Sequence, residues 1–135
     1  MKKLHNYAPA KVLGLVMILS ILNLSCYKSD SIDQEITKLH NHTIPPSSKL
    51  IHTDEIVREG ESLITFWEFE VQSQWKEYIK WASENLNAQY SVINSNETKA
   101  IFRRTLIGDA YSIQIEKKST ALPLHIRVKF EASPY

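Results

Sequence analysis

Apolar and polar residues alternate along much of the second half of the chain. The clearest segment is 124–131, where apolar residues occupy the even positions and His125, Arg127, Lys129 and Glu131 occupy the odd ones. A period of two is typical of a β-strand with one buried face. The same pattern predicts strands over residues 62–71, 89–94, 99–107 and 110–117, and a weaker one over residues 49–58.

One segment between these strands has a helical period instead. Ser73 can cap a helix that ends near Asn87, and its apolar residues recur every three to four positions. The order β-β-α-β-β-β-β, with short polar connections between the later strands, predicts an α+β domain. We expect a mostly antiparallel sheet of about five to six strands, with one main helix packed on its apolar face. The apolar stripe of that helix consists of Trp75, Tyr78, Ile79, Ala82 and Leu86.

The first 26 residues follow a third pattern. Three lysines precede an apolar run over residues 12–22, and Ser25 lies directly before Cys26, the only cysteine of the chain. A basic start, a short apolar core and a small residue at a cleavage point are the parts of a secretory signal.

This segment resembles the signal peptide of bacterial lipoproteins, a class in which the cysteine is alkylated with diacylglycerol. The resemblance implies that residues 1–25 are removed and that Cys26 anchors the protein to a membrane of the bacterial envelope, on the extracytoplasmic side. Tyr27 after the cysteine implies an outer-membrane destination in hosts that use an aspartate-based retention rule. The chain departs from the usual lipobox at Asn23, where the class usually has leucine.

Two other interpretations of the segment stay open at this point. It could be an uncleaved membrane span, although residues 12–22 fall short of the roughly 20 apolar residues that a spanning helix needs. It could also be an ordinary secretory signal that leaves Cys26 as a free thiol. The lone cysteine at the junction favours the lipoprotein, because a secreted domain stapled by disulfides would carry an even number of cysteines.

The composition of residues 26–48 predicts a flexible tether, which the resemblance makes lipid-anchored at Cys26, so that the single folded domain comprises residues 49–135. Serine, aspartate, histidine and asparagine dominate the tether, and Pro45-Pro46 stiffens its end. One short helix with a capping box from Ser31 to Gln34 is predicted inside it. A helix this short is marginal alone and would have to dock to persist.

Charge and motifs exclude several classes of function. Without residues 1–25 the chain has thirteen basic and fifteen acidic residues, a net charge of −2, because three lysines and no acidic residue lie in the removed segment. We therefore expect no nucleic-acid partner, which would require a concentrated basic stripe. The chain has no Gly-x-Ser-x-Gly motif and too few glycines for a phosphate-binding loop. We predict a protein that is not an enzyme and needs no cofactor.

One cluster along the chain has the residue types of a metal site. His40, His42 and His52, with Asp54, offer imidazole and carboxylate ligands. Their spacing matches no established site, and two of the histidines fall in the predicted tether. Because a metal site needs ligands in fixed geometry, we predict solvated histidines and no bound metal.

The carboxylates of Glu68 and Glu70 share one face of the predicted strand 62–71. Paired carboxylates can serve acid–base chemistry or glycoside cleavage. The neighbouring predicted strands place both basic and acidic residues on the same outward side, such as Arg127 and Glu131. We therefore predict a solvated sheet face with cross-strand charge pairs.

Three apolar residues do not fit the predicted core. Trp81 lies outside the helical stripe, and Ile64 and Phe66 share the strand face of the two glutamates. A tryptophan out of register can lean over the edge of a core, but tryptophan is also enriched at binding hot spots. We predict an interaction surface that includes these three residues.

Taken together, these patterns predict a small envelope lipoprotein with a non-catalytic domain that binds a protein or maintains the envelope. One alternative is an inhibitor or immunity lipoprotein that acts against a secreted enzyme or toxin. Another is a small hydrolase with an unrecognised site.

Overall fold

Seven antiparallel strands form one open sheet in the part of the chain that the structure describes, residues 27–134. The structure is a computed structural model, and the predicted signal segment and Cys26 lie outside the described residues. The elements are α1 (Tyr27–Thr43), β1 (Lys49–Thr53), β2 (Val57–Glu59), β3 (Ser62–Val71), α2 (Trp75–Leu86), β4 (Ser91–Ser95), β5 (Lys99–Leu106), β6 (Asp109–Lys117) and β7 (Leu124–Pro134). The predicted α+β class is confirmed, with one more strand than the sequence pattern predicts and with a 17-residue helix where only a short one was predicted.

The strand order in the sheet is β1-β3-β7-β6-β5-β4, and β2 pairs with the beginning of β3. The strand β7 lies between β3 and β6 and pairs with both along nine positions each. Because its apolar residues alternate without a break, β7 presents one wholly buried face. The cleanest alternation in the sequence therefore belongs to a central strand.

The predicted strand over residues 49–58 is two strands in the structure. The first, β1, pairs with the second half of β3, and β2 pairs with its beginning. Between them the Asp54 amide donates a hydrogen bond to the Phe66 carbonyl at 2.9 Å. The Thr65 hydroxyl donates to the Asp54 carbonyl at 2.9 Å. Residues 54–56 are thus held against β3 although they are not part of a strand.

The helix α2 packs its predicted stripe against the sheet. Trp75, Tyr78, Ala82 and Leu86 are buried, and the tyrosine ring lies 5.9 Å from that of Phe69. The predicted cap at Ser73 is wrong, since the N-cap residue is Gln74 and no side chain caps the helix. The apolar stripe, rather than a cap, holds the helix in place.

The helix α1 replaces most of the expected flexible tether over residues 26–48. Its residues Leu39 and Thr43 are fully buried. The Trp67 indole N–H donates to the Thr43 hydroxyl at 2.8 Å, and the Tyr78 hydroxyl donates to the Thr43 carbonyl at 2.7 Å. The folded domain therefore begins before Lys49, because two buried donors of the core find their acceptors at the end of α1.

His40 lies beside this contact. Its ring is 4.4 Å from the Trp67 ring in an edge-to-face arrangement. Its Nε2 atom is buried and makes no hydrogen bond within the described residues. Burial lowers the pKa of His40 below the usual 6.5, because the charged imidazolium would lose its hydration there.

Both helices contribute to the apolar face of the sheet, on which Trp67, Phe69, Ile113, Ile126 and Phe130 are all buried. No helix packs on the side chains of the opposite face among residues 36–134, and we call this side the open face. Neither helix within the described residues is long and apolar enough to cross a membrane.

The two edges of the sheet are the short strands β1 and β4, and both are exposed along their whole length. A bulge interrupts the pairing of β4 with β5 between Val92 and Asn94. Val92 is 50 % exposed and Ile93 is 60 % exposed. The edge at β4 is therefore apolar as well as irregular.

The hydrogen bond from Trp67 to Thr43 gives a test of the role of α1. Thr43→Val keeps the shape of the side chain and removes the acceptor, so a buried indole N–H is left without a partner. We expect the free energy of unfolding, measured by urea denaturation, to fall by about 1–3 kcal/mol. Thr105→Val on an exposed position of β5 is the control and should change it by at most about 0.5 kcal/mol. Equal losses in the two variants would contradict the role of Thr43.

The lowered pKa of His40 predicts a pH dependence of stability. Burial in the native state favours the neutral ring, whereas in the unfolded chain the ring has its usual pKa of 6.5. Below this pH the unfolded state binds more protons, so the free energy of unfolding falls as the pH falls. We expect His40→Gln to weaken this fall between about pH 7 and pH 5. The control His42→Gln, on the same helix, should keep the part of the fall that His40 causes. If His40→Gln leaves the slope of the free energy of unfolding against pH unchanged, His40 is not its cause.

Candidate functional site

The structure separates the three residues that the sequence grouped as an interaction surface. Ile64 and Phe66 lie next to each other on the open face of β3. Trp81 belongs to α2, on the other side of the sheet, and its half-buried ring lies 6.3 Å from the ring of Tyr78. Trp81 therefore leans on the edge of the core, and only the two residues of β3 can contribute to one surface.

A pocket of about 380 Å³ lies beside these two residues on the open face. The segment after β1 forms its other wall. Val57 pairs with Ile64 across β2 and β3 and is 58 % exposed, while its neighbour Ile56 is 40 % exposed. The pocket lining consists of Asp54, Glu55, Val57, Glu59, Ile64 and Phe66.

Backbone hydrogen bonds fix the walls of the pocket. The hairpin from β2 to β3 pairs Glu59 with Ser62, so that only two residues make the turn. The first of them, Gly60, has a φ of 65°. Residues with a side chain rarely adopt this backbone conformation, which the turns of two-residue hairpins require. Together with the Asp54 hydrogen bonds to β3, this turn holds the acidic segment close to Phe66.

The ring of Phe66 is also held from the side of β7. The Arg127 guanidinium lies over the ring, with 4.1 Å between its central carbon and the ring centroid. A cation over an aromatic face at this distance is attracted by the quadrupole of the ring. The Arg127 Nε atom is buried and has no hydrogen-bond partner in the described chain. The contact therefore places a basic group on the β7 side of the Phe66 ring.

A row of ionisable side chains crosses the rest of the open face. His52, Glu68, Arg127, Glu116 and Lys99 are successive partners across five strands. This arrangement matches the predicted solvated face with cross-strand charge pairs. In addition, the ring of His125 contacts the Glu68 carboxylate at 2.5 Å. Glu68 is therefore held by a neighbour on the sheet and is not paired with Glu70.

The acidic residues near the pocket break this balance. Residues 54–61 contain Asp54, Glu55, Glu59 and Glu61 and only one cation, Arg58. Side chains alternate along β2, so Glu59 lies on the same side as Val57, and Arg58 lies on the other. The pocket is thus apolar at its base and negatively charged at its rim.

The histidines considered as metal ligands are not brought together. His40 packs on Trp67, and His52 hydrogen-bonds to Asp54 at the β1 edge of the sheet. Pairing places His52 opposite Glu68, away from the end of α1 that carries the other two histidines. Within residues 27–134, no group of three or more His, Cys, Asp or Glu side chains could hold a metal ion.

A second and larger cavity, of about 580 Å³, lies where α2 begins. Trp75, Ile79 and Lys76 line it from the helix, and Asn96 and Lys117 line it from the sheet. The Trp75 indole N–H donates to the Asn96 carbonyl at 2.9 Å, which closes one side of the cavity. The sequence did not predict this cavity, because Trp75 has the spacing of a core residue and residues 95–97 have the composition of a polar connection.

No protein family matches the chain, and no curated protein or solved structure matches it either.

Proposed function

We propose that the protein is a small, non-catalytic lipoprotein of the bacterial envelope that binds another protein through the pocket on its open face. One observation carries the proposal. A patch of apolar side chains, formed by the exposed Val57, the half-buried Phe66 and the buried Ile64 opposite Val57, interrupts a sheet face whose other residues are mostly polar or charged. We call these three residues the apolar patch.

The apolar patch lies on the side of the sheet opposite the helices. Ile64 and Phe66 alternate with Thr65 and Trp67, which point to the opposite, buried side of β3. Contiguous apolar surface with a polar rim is typical of interaction sites, because exposing it to water is unfavourable in the absence of a partner. Aromatic residues are enriched in such sites.

The rigidity of the apolar patch also supports binding. Phe66 is held by Arg127 on one side, and Val57 is fixed by its strand pairing with Ile64. A surface that is already ordered loses little conformational entropy when a partner binds. On the neighbouring strand β7, Lys129 and Glu131 pair with each other at 3.7 Å, so this side of the patch is ordered as well.

The lipid anchor rests on the N-terminal sequence alone. The basic start, the apolar run over residues 12–22 and the Ser25-Cys26 junction support it. The inhibitor or immunity role is the special case in which the bound protein is a secreted enzyme or toxin.

The anchor is tested by Cys26→Ser in cells that produce the protein. The variant lacks the thiol that accepts the lipid, so we expect it to lose labelled fatty acid and to leave the membrane fraction or accumulate unprocessed. The control Ser25→Ala keeps a small residue before the cysteine and should be lipidated like the parent. Fatty-acid labelling that persists in Cys26→Ser would exclude the lipoprotein assignment.

The binding surface is tested by photo-crosslinking in the same cells. Benzoylphenylalanine replaces Val57 in one variant and Ile107, a fully exposed turn residue outside the pocket, in the control. We expect a discrete adduct with one protein from position 57 and none from position 107, because only the first lies at the pocket. The same adducts from both positions, or none from position 57, would contradict the proposed surface.

A further inference from the structure

We propose that the pocket receives a lysine or arginine side chain from an exposed segment of the partner protein, with apolar residues beside it. This inference rests on the proposed function, since it names the partner chemistry of the same pocket. Its elements are the acidic rim, the apolar base and the ring of Phe66.

The charge of the rim favours a cation over an anion. Three of the six residues that line the pocket are acidic: Asp54, Glu55 and Glu59. Asp54 is hydrogen-bonded to His52, but Glu55 and Glu59 make no ion pair within the described residues. Two carboxylates beside an apolar surface are therefore left for a cation of the partner.

The shape of the pocket fits a cation on a long apolar stem. Lysine and arginine bury their methylene groups on apolar surface while the charged end stays near water. Val57, Ile64 and Phe66 provide such a surface directly below the carboxylates. A volume of about 380 Å³ is also larger than one such side chain needs, which leaves space for a neighbouring apolar residue of the partner.

Phe66 already shows this recognition within the chain. The Arg127 guanidinium lies over its ring at 4.1 Å, so the ring is exposed to one cation from the side of β7. The pocket lies on the side of β2, where the neighbouring groups are carboxylates. A partner cation there would be stabilised by Glu55 and Glu59 instead of meeting a second basic residue.

The same charge distribution disfavours two other occupants. A second copy of the chain that docked through the same pocket would bring two acidic rims together, which costs free energy. An anionic lipid headgroup would be repelled by Asp54, Glu55 and Glu59 in the same way. A basic protein segment is the occupant whose charge complements the pocket.

The test uses the full mature chain, with its own anchor, in discs of zwitterionic phosphatidylcholine. Three hexapeptide probes alternate lysine with leucine, lysine with glycine, and glutamate with leucine, and empty discs provide the background for each. Fluorescence anisotropy measures the dissociation constants at low and high salt. We expect the lysine–leucine peptide to bind, the lysine–glycine peptide to bind at least about tenfold more weakly, and the glutamate–leucine peptide not to bind.

Two double variants then assign the binding to the pocket. Glu55→Gln with Glu59→Gln removes the free carboxylates, and we expect about tenfold weaker binding of the lysine–leucine peptide with a smaller salt dependence. Glu84→Gln with Glu97→Gln removes the same charge at exposed positions outside the pocket and should leave the affinity unchanged. Equal losses in both variants would overturn the proposal, since the peptide would then respond to net charge alone.

The remaining outcomes separate this inference from the proposed function. If no lysine peptide binds while position 57 still crosslinks to a partner, the basic partner is refuted and the binding surface stands. If the glutamate–leucine peptide binds as well as the lysine–leucine peptide, the acidic rim does not select the partner and the inference fails. If neither binding nor crosslinking occurs, both proposals fall.

Discussion

The fold depends on two buried hydrogen-bond donors that find their acceptors in one residue. The indole of Trp67 and the phenol of Tyr78 both lie in the core, where water cannot accept their protons. Thr43 at the end of α1 accepts both, one with its side chain and one with its backbone. Its hydroxyl in turn donates to the Leu39 carbonyl at 2.7 Å. One polar residue thus joins α1, α2 and the central sheet, and burial raises the pKa of the Tyr78 phenol well above its usual value of 10.0.

This constraint decides which face of the sheet is free. The last turn of α1 and the helix α2 both lie on the side of Trp67, where they make the Thr43 contacts. The other side of the sheet is left in contact with solvent. The strand β3 serves both sides, since Trp67 and Phe66 are neighbours in sequence and point in opposite directions. The proposed binding surface is therefore built on a strand that pairs with three others, β1, β2 and β7. A partner at Phe66 would meet a surface whose backbone is fixed by the core directly behind it.

The sequence predicted the elements whose pattern is local. The alternation in β7 and the helical stripe of α2 are complete within their own segments, so neither needs information from elsewhere in the chain. The apolar residues Ile64 and Phe66 were found for the same reason, since they interrupt a run of outward-facing polar positions. The length of α1 was underestimated because its composition is that of a linker. Its last turn depends on the contact of Thr43 with Trp67, 24 residues away in the sequence, which no local pattern can show. The pocket was not predictable either, because it requires β2 to pair with the beginning of β3 and β1 with its end. Trp81 was assigned to the wrong surface. Its spacing shows that it lies outside the core stripe of the helix, but spacing does not show on which side of the sheet the helix packs.

The bulge in β4 has a consequence for the size of the sheet. Residues 85–96 carry no charged side chain, so this edge lacks the lysines and glutamates that commonly keep strands of other molecules away. Its irregular backbone between Val92 and Asn94 takes over that role, because an incoming strand would find donors and acceptors out of step with its own. The limit of the sheet is thus set by geometry rather than by charge. The single extra residue, Ile93, puts this edge out of register with a strand that a neighbouring molecule could add.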